Sequence, residues 1–145
     1  MKDALKAVRK AYETALDNVS VGDDQIPFFD VVPEGGHSEY IYIESMRSEE
    51  ISDKTEFTQE VNVTLVAVTD AQGTHGRIEN SEELAEKVMD TIKNTITSTL
   101  DLTGDGFYMI TNQMTGTSFL QAKEKNKSEA LIKRRINFRH IVGQS

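Results

Sequence analysis

Residues 55–69 read TEFTQEVNVTLVAVT, with Phe57, Val61, Val63, Leu65 and Ala67 on one side of an alternation and Thr58, Glu60, Asn62 and Thr64 on the other. Successive side chains of an extended chain point to opposite faces, so this two-residue period predicts a long strand buried on one face. Such a face needs an apolar cover, and the flanking sequence offers two. Downstream, Ser81 is placed to cap a helix whose first turn holds Glu82 and Glu83, and Leu84, Val88, Ile92 and Ile96 recur every four residues with Met89 beside them. Upstream, residues 3–18 set Leu5, Val8, Tyr12, Ala15 and Leu16 at three- and four-residue steps, with Asp3 as N-cap and Val19 just beyond.

The remaining segments extend the sheet. After the break at Val21-Gly22-Asp23-Asp24, residues 28–32 (FFDVV) and 40–43 (YIYI) form two β-favouring runs on either side of Pro33-Glu34-Gly35-Gly36. Proline fixes φ and glycine tolerates φ > 0, so PEGG reads as the turn of a hairpin. Residues 44–56 are charged and lack a periodic apolar face, which predicts an exposed arm or long hairpin loop. A glycine-bearing loop (70–76) follows the long strand. Beyond the second helix, residues 107–114 and 117–121 read as a strand interrupted at Gly116, KEKNK as a loop, and residues 130–142 as a closing strand. In that last strand Ile132, Ile136, Phe138 and Val142 share one face while Lys133, Arg135 and Arg139 share the other. The expected fold is one α+β domain over residues 1–145, order αβββαββ, with a mainly antiparallel sheet packed against two helices.

Composition narrows the function. The 145 residues are 37% hydrophobic and 28% charged, a globular balance, and no apolar run approaches the roughly 18 residues that cross a bilayer. The first ten residues, MKDALKAVRK, lack the apolar core of a signal peptide, so synthesis in the cytoplasm and no membrane partner are expected. There is no cysteine, hence no thiolate nucleophile and no Cys-based zinc site. The net charge of −8 argues against a sequence-independent grip on nucleic acid, which relies on Lys and Arg displacing phosphate counterions. The charge is uneven. Residues 1–60 hold 6 Lys and Arg against 14 Asp and Glu, whereas residues 121–145 hold 7 against 2.

No constellation for catalysis emerges. His37, His75 and His140 belong to no spaced metal motif and read as surface or satisfied histidines. No serine sits in a G-x-S-x-G elbow or an S-x-x-K motif. Asp101 to Gly106 (DLTGDG) has the opening of a calcium loop, yet position 12 is Asn112 instead of a bidentate glutamate, so a plain turn is expected. Gly73 and Gly76 ahead of a helix lack the lysine of a phosphate-binding loop. The expectation is a non-enzyme with no cofactor and no metal. The basic strand face of Lys133, Arg135 and Arg139 suits either solvent or an acidic surface. The largest acidic source is the chain's own segment with Glu44, Glu49, Glu50, Asp53 and Glu56, supplied by a neighbouring copy.

Taken in order, the helix, the run ending Val32-Pro33 with Gly35, the Tyr40-Ile41 and Ile43 run, the long strand ending Ala67-Val68-Thr69, the glycine loop and the helix resemble the tail terminator, or tail completion, proteins of long-tailed bacteriophages and gene transfer agents. Glu39 stands where that family often has proline. The resemblance implies a virion protein, made in the host cytoplasm, that forms a ring, usually of six copies, at the head-proximal end of the tail tube. Such a ring stops tube growth and presents a surface to the head or neck. Its partners would be itself, the tail tube protein and a head-completion or neck protein, with DNA passing through unbound. A domain of this length is roughly 40 Å across, so six in a closed ring leave an opening of a few tens of Å. The alternatives are another neck or connector ring protein, or a small non-enzymatic α+β binding or regulatory domain.

Overall fold

The computed structural model describes residues 3–17, 20–21, 24–29, 40–51, 57–70, 81–123 and 130–144. In chain order these form α1 (Leu5–Leu16), β1 (Ser20–Val21), β2 (Asp24–Gln25), β3 (Phe28–Phe29), β4 (Tyr40–Glu50), β5 (Thr58–Asp70), α2 (Ser81–Thr99), a 3-10 turn (Thr103–Asp105), β6 (Phe107–Lys123) and β7 (Ala130–Gln144). One five-stranded sheet runs β3-β4-β5-β7-β6, and β1 with β2 makes a separate two-stranded ribbon. Apart from that ribbon, which stands where Val21-Gly22-Asp23-Asp24 predicts only a break, the order is the expected αβββαββ.

The alternating stretch becomes β5, with β4 on one side and β7 on the other. Val61, Val63, Leu65 and Ala67 point into the main core. Against them pack Val8, Tyr12 and Leu16 of α1, then Val88, Met89, Ile92 and Ile96 of α2, with Ile136, Phe138 and Val142 of β7 alongside. Both helices thus cover the same sheet face. Removing each such aliphatic side chain from water contributes about 1.5–3 kcal/mol, which is why the apolar period, more than intrinsic propensity, sets where the helices lie. The N-cap of α1 is Ala4 and not the expected Asp3, which stands one residue earlier with its Oδ1 accepting the Leu5 N–H at 3.0 Å and the Ser48 hydroxyl of β4 at 3.1 Å. The Asn112 side chain serves the end of α2, donating from Nδ2 to the Ile96 carbonyl at 2.7 Å.

Four further expectations are corrected. Phe57 does not join the core. It lies just before the first ladder residue of β5 with its side chain 63% exposed, although its carbonyl still accepts the Gln144 N–H. The two runs around PEGG do not form a hairpin, because β3 pairs with β4 in parallel, Phe28 beside Ile41 and Phe29 beside Tyr42. Residues 30–39, PEGG included, lie outside the described residues. Turn-forming residues signal a reversal but not its partner. The charged segment from Glu44 to Glu50 is not an arm or loop but strand, paired antiparallel with β5 down to Glu50 and Gln59 after a bulge at Glu44. Its apolar period is missing because only Met46 on that part of the strand packs against the core. Finally, Gly116 does not break β6, which runs for 17 residues and absorbs irregularities as bulges at Ile110 and Thr115.

The DLTGDG segment is the expected turn, closed by the Asp105 N–H donating to the Leu102 carbonyl at 3.1 Å. Gly106 follows it with φ +81°, a left-handed conformation that favours glycine. No helix among the described residues is long and apolar enough to cross a membrane.

Candidate assembly surface

The sheet face away from the helices collects most of the residues singled out as interface candidates. Strand pairing dictates this. On β7, residues 133, 135, 137, 139 and 141 alternate with the core-facing 136, 138, 140 and 142, and each lies opposite an outward residue of β5. Arg135 is level with Val66 and Arg139 with Asn62. On β4, Tyr40 and Tyr42 share this face before the bulge at Glu44, and Ser45, Arg47 and Glu49 share it after the bulge.

Three zones follow from one end of the face to the other. At the first, Val66 and Val68 are buried beneath Tyr42, with Phe29 and Tyr40 packed beside them and the Tyr40 and Tyr42 ring centroids 5.9 Å apart. Burial pushes the Tyr42 hydroxyl above its usual range, reinforced by the nearby Glu44 carboxylate. The middle zone is polar and internally paired. Arg135 holds Glu44 through Nη2 at 2.9 Å from Oε1 and 3.0 Å from Oε2. The Thr64 hydroxyl donates to Asn137 Oδ1 at 2.8 Å. Arg139 holds Glu60 with Nε 3.3 Å from Oε1, and Asn62 Nδ2 donates to the same oxygen at 3.1 Å. These contacts, the Asn62 hydrogen bond first and the Arg139 hydrogen bond next, hold the Glu60 carboxyl below the usual range.

The third zone is apolar and open. Tyr108 and Ile110 at the start of β6 are 43% and 48% exposed, and Ile51 beyond the end of β4 is 42% exposed. With the exposed Phe57 they lie at one end of the sheet. The Tyr108 ring lies close enough to the backbone of Gly143 that a Cβ built on Gly143 would fall among its atoms. Across the sheet Ile51 is level with Tyr108 through Thr58 and Gly143, with β5 and β7 between them.

The sequence-predicted interface residues therefore divide. Arg135 and Arg139 lie on one face with Glu44 and are paired within the chain, to Glu44 and Glu60. Lys133 shares their face and has no ion pair among the described residues. Glu49 pairs with Arg47 at 3.2 Å where both are mostly exposed. Glu50 lies on the opposite face at the strand end, and Asp53 and Glu56 lie outside the described residues. The acidic and basic segments do attract, but β5 is the only strand between them, so much of that attraction is used inside one subunit. Opposite charge was legible in the sequence; the adjacency of β4, β5 and β7 was not. The open zone of Tyr108, Ile110 and Ile51 was also missed. Its only sequence signal is apolar residues out of phase with their strands, as at Ile110 beside Met109.

Of the histidines, His37 and His75 lie outside the described residues. His140 is fully buried on the helix-covered face, its Nε2 hydrogen-bonded to the Tyr12 hydroxyl and its ring stacked on Phe138 with centroids 6.1 Å apart. Burial lowers its pKa to about 4 and raises that of Tyr12 well above the usual range. The pair is thus a neutral polar contact in an apolar core, with His140 Nδ1 lacking a hydrogen-bond partner among the described residues. Among the described residues no three His, Asp or Glu side chains stand close enough to hold a metal ion.

Among solved structures, 23 chains are similar to this one. One is a chain in the virion of a native gene transfer agent particle, with a TM-score of 0.61 and 19% sequence identity over 99% of both chains. At that identity the likeness is one of fold. No protein-family model matches the chain, and no curated protein matches it.

Proposed function

We propose that this protein is a structural component of a phage-like particle, a tail terminator that assembles as a ring, most simply of six copies, at the head-proximal end of a tail tube. The observation that carries this reading is the fold shared along 99% of both chains with a chain of a gene transfer agent virion. The order of motifs through Val32, Pro33, Gly35, Tyr40, Ile41 and Ile43 supports it independently. In this reading the protein performs no reaction and needs no cofactor. Its partners are its own copies, the tube protein below and a head-completion or neck protein above, and DNA passes through a lumen that does not bind it. With a net charge of −8, a ring exposes far more acid than base, and repulsion of phosphates keeps the passing duplex mobile.

Deletion of the gene from a particle-producing host tests the role. A terminator's loss gives tubes of uncontrolled length without heads, whereas loss of a connector ring gives tails of normal length that fail to join. Labelling the protein in intact particles tests the position, and a signal on the capsid surface or at the tail tip would reject it. Normal particles from the deletion strain would favour a binding or regulatory domain instead.

A further inference from the structure

Both edges of the main sheet are open among the described residues. On one side, β6 runs 17 residues with β7 as its only partner strand. On the other, β3 covers β4 only at Ile41 and Tyr42, so that β4 from Ile43 to Glu50 has β5 alone beside it. An open edge presents a row of unpaired N–H and C=O groups, and proteins that stay monomeric blunt it with charges, prolines or short length. Here β6 is uncharged and free of proline from Phe107 to Ala122, and of the devices that blunt an edge it carries only bulges. Its two bulges are the only irregularities.

We infer that the outer edge of β6 pairs with the outer edge of β4 in a second copy of this chain, joining the sheets of neighbouring subunits. Three observations choose this occupant. The first is strand sense. β4, β5, β7 and β6 alternate strictly in direction, so a copy placed beside the sheet with its helices on the same face sets its β4 antiparallel to β6. The antiparallel pattern continues across the boundary without interruption. The second is charge. Pairing β4 with β4 sets segments bearing Glu44, Glu49 and Glu50 against each other, whereas β6 opposes them with neutral Thr, Asn, Gln and Ser. The third is closure. Pairing β6 with β6 satisfies one edge and stops at a dimer, while β6 with β4 is heterologous and leaves no edge unused, which is the kind of contact that a closed ring requires. About eight residues of β4 are available, roughly 26 Å of ladder. The inference rests on the ring reading and specifies which surfaces close it.

The absence of native cysteine allows a direct test by disulfide trapping. Ser45 and Arg47 of β4 and Gln113 and Ser118 of β6 are exposed on the helix-free face. Within one sheet Arg47 is level with Gln113 through Asn62 and Arg139, so this pair and its neighbours sample the registers that a copy could adopt. The four double variants combining Ser45→Cys or Arg47→Cys with Gln113→Cys or Ser118→Cys are oxidised, at high protein concentration and on tail tubes. At least one is expected to give a reducible ladder that ends at the ring number, and each single variant is expected to lose it. A covalent dimer from Gln113→Cys or Ser118→Cys alone would show β6 paired with itself and overturn the inference. Rings visible by microscopy without a ladder in any double variant would overturn it too, while leaving the ring reading intact. No self-association in solution or on tubes would reject both.

Discussion

Arg135 on β7 and Glu44 at the bulge of β4 meet across the middle of β5, with Nη2 2.9 Å from Oε1 and the two side chains 32% and 36% exposed. The residues are 91 positions apart in the chain. The contact exists because β5 carries β4 on one edge and β7 on the other, and because the bulge at Glu44 interrupts the regular register of β4.

Reversal of one charge in this pair should therefore register in the monomer before it registers in any assembly. Arg135→Glu is expected to destabilise the fold by about 1 kcal/mol, the upper end for a partly exposed pair, and Glu44→Arg in the same chain should recover most of it. Urea unfolding of the two single variants and the double variant measures the coupling. A coupling of zero would mean that the pair is a bystander of the sheet.

His140 sets the acid sensitivity of the core. Its folded-state pKa of about 4 lies below the ordinary 6.5, so the unfolded chain takes up a proton first. The associated stability is complete above pH 6.5, falls as pH drops from 6.5 towards 4, and is constant below that. Over the window the loss is about 3 kcal/mol. Unfolding free energies of the parent and of His140→Gln between pH 7.5 and 4 should differ in slope in that direction. Equal slopes would show that the imidazole does not titrate on unfolding.

Gly143 is predicted to be required by its neighbour and not by its own backbone. Gly143→Ala places a methyl among the Tyr108 ring atoms, and because the exposed ring can swing outward the expected cost is about 1 kcal/mol, the low end for overpacking. In a Tyr108→Ala background the same substitution should be almost neutral. A cost that persists there would point to backbone strain.

Two apolar residues of the opening stretch should behave oppositely. Leu65→Ala removes a fully buried side chain and is expected to cost about 2–5 kcal/mol, measured as the shift in denaturant midpoint. Phe57→Ser should leave monomer stability within about 0.5 kcal/mol. It should also raise solubility, read as the ammonium sulfate concentration at which the protein precipitates.

Elements governed by a short-range apolar period were legible in the linear chain, with Phe57 the exception at the edge of its period. The spacing of Val88, Ile92 and Ile96 and of Val8, Tyr12 and Leu16 defined two helices with one buried face each, and the alternation through Val61, Val63 and Leu65 defined the central strand and its core side. Those signals are strong because apolar burial acts on each residue separately, and chain geometry converts position in sequence directly into a face. Tertiary structure alone decided which strands became neighbours, and hence that β3 joins β4 in parallel, that Arg135 and Arg139 find Glu44 and Glu60 within one subunit, and that β6 is left at an edge. Backbone hydrogen bonds are the same for every residue and carry no address. The pairing order is chosen by the joint packing of both helices on one sheet face, a property of the whole chain that no local stretch contains.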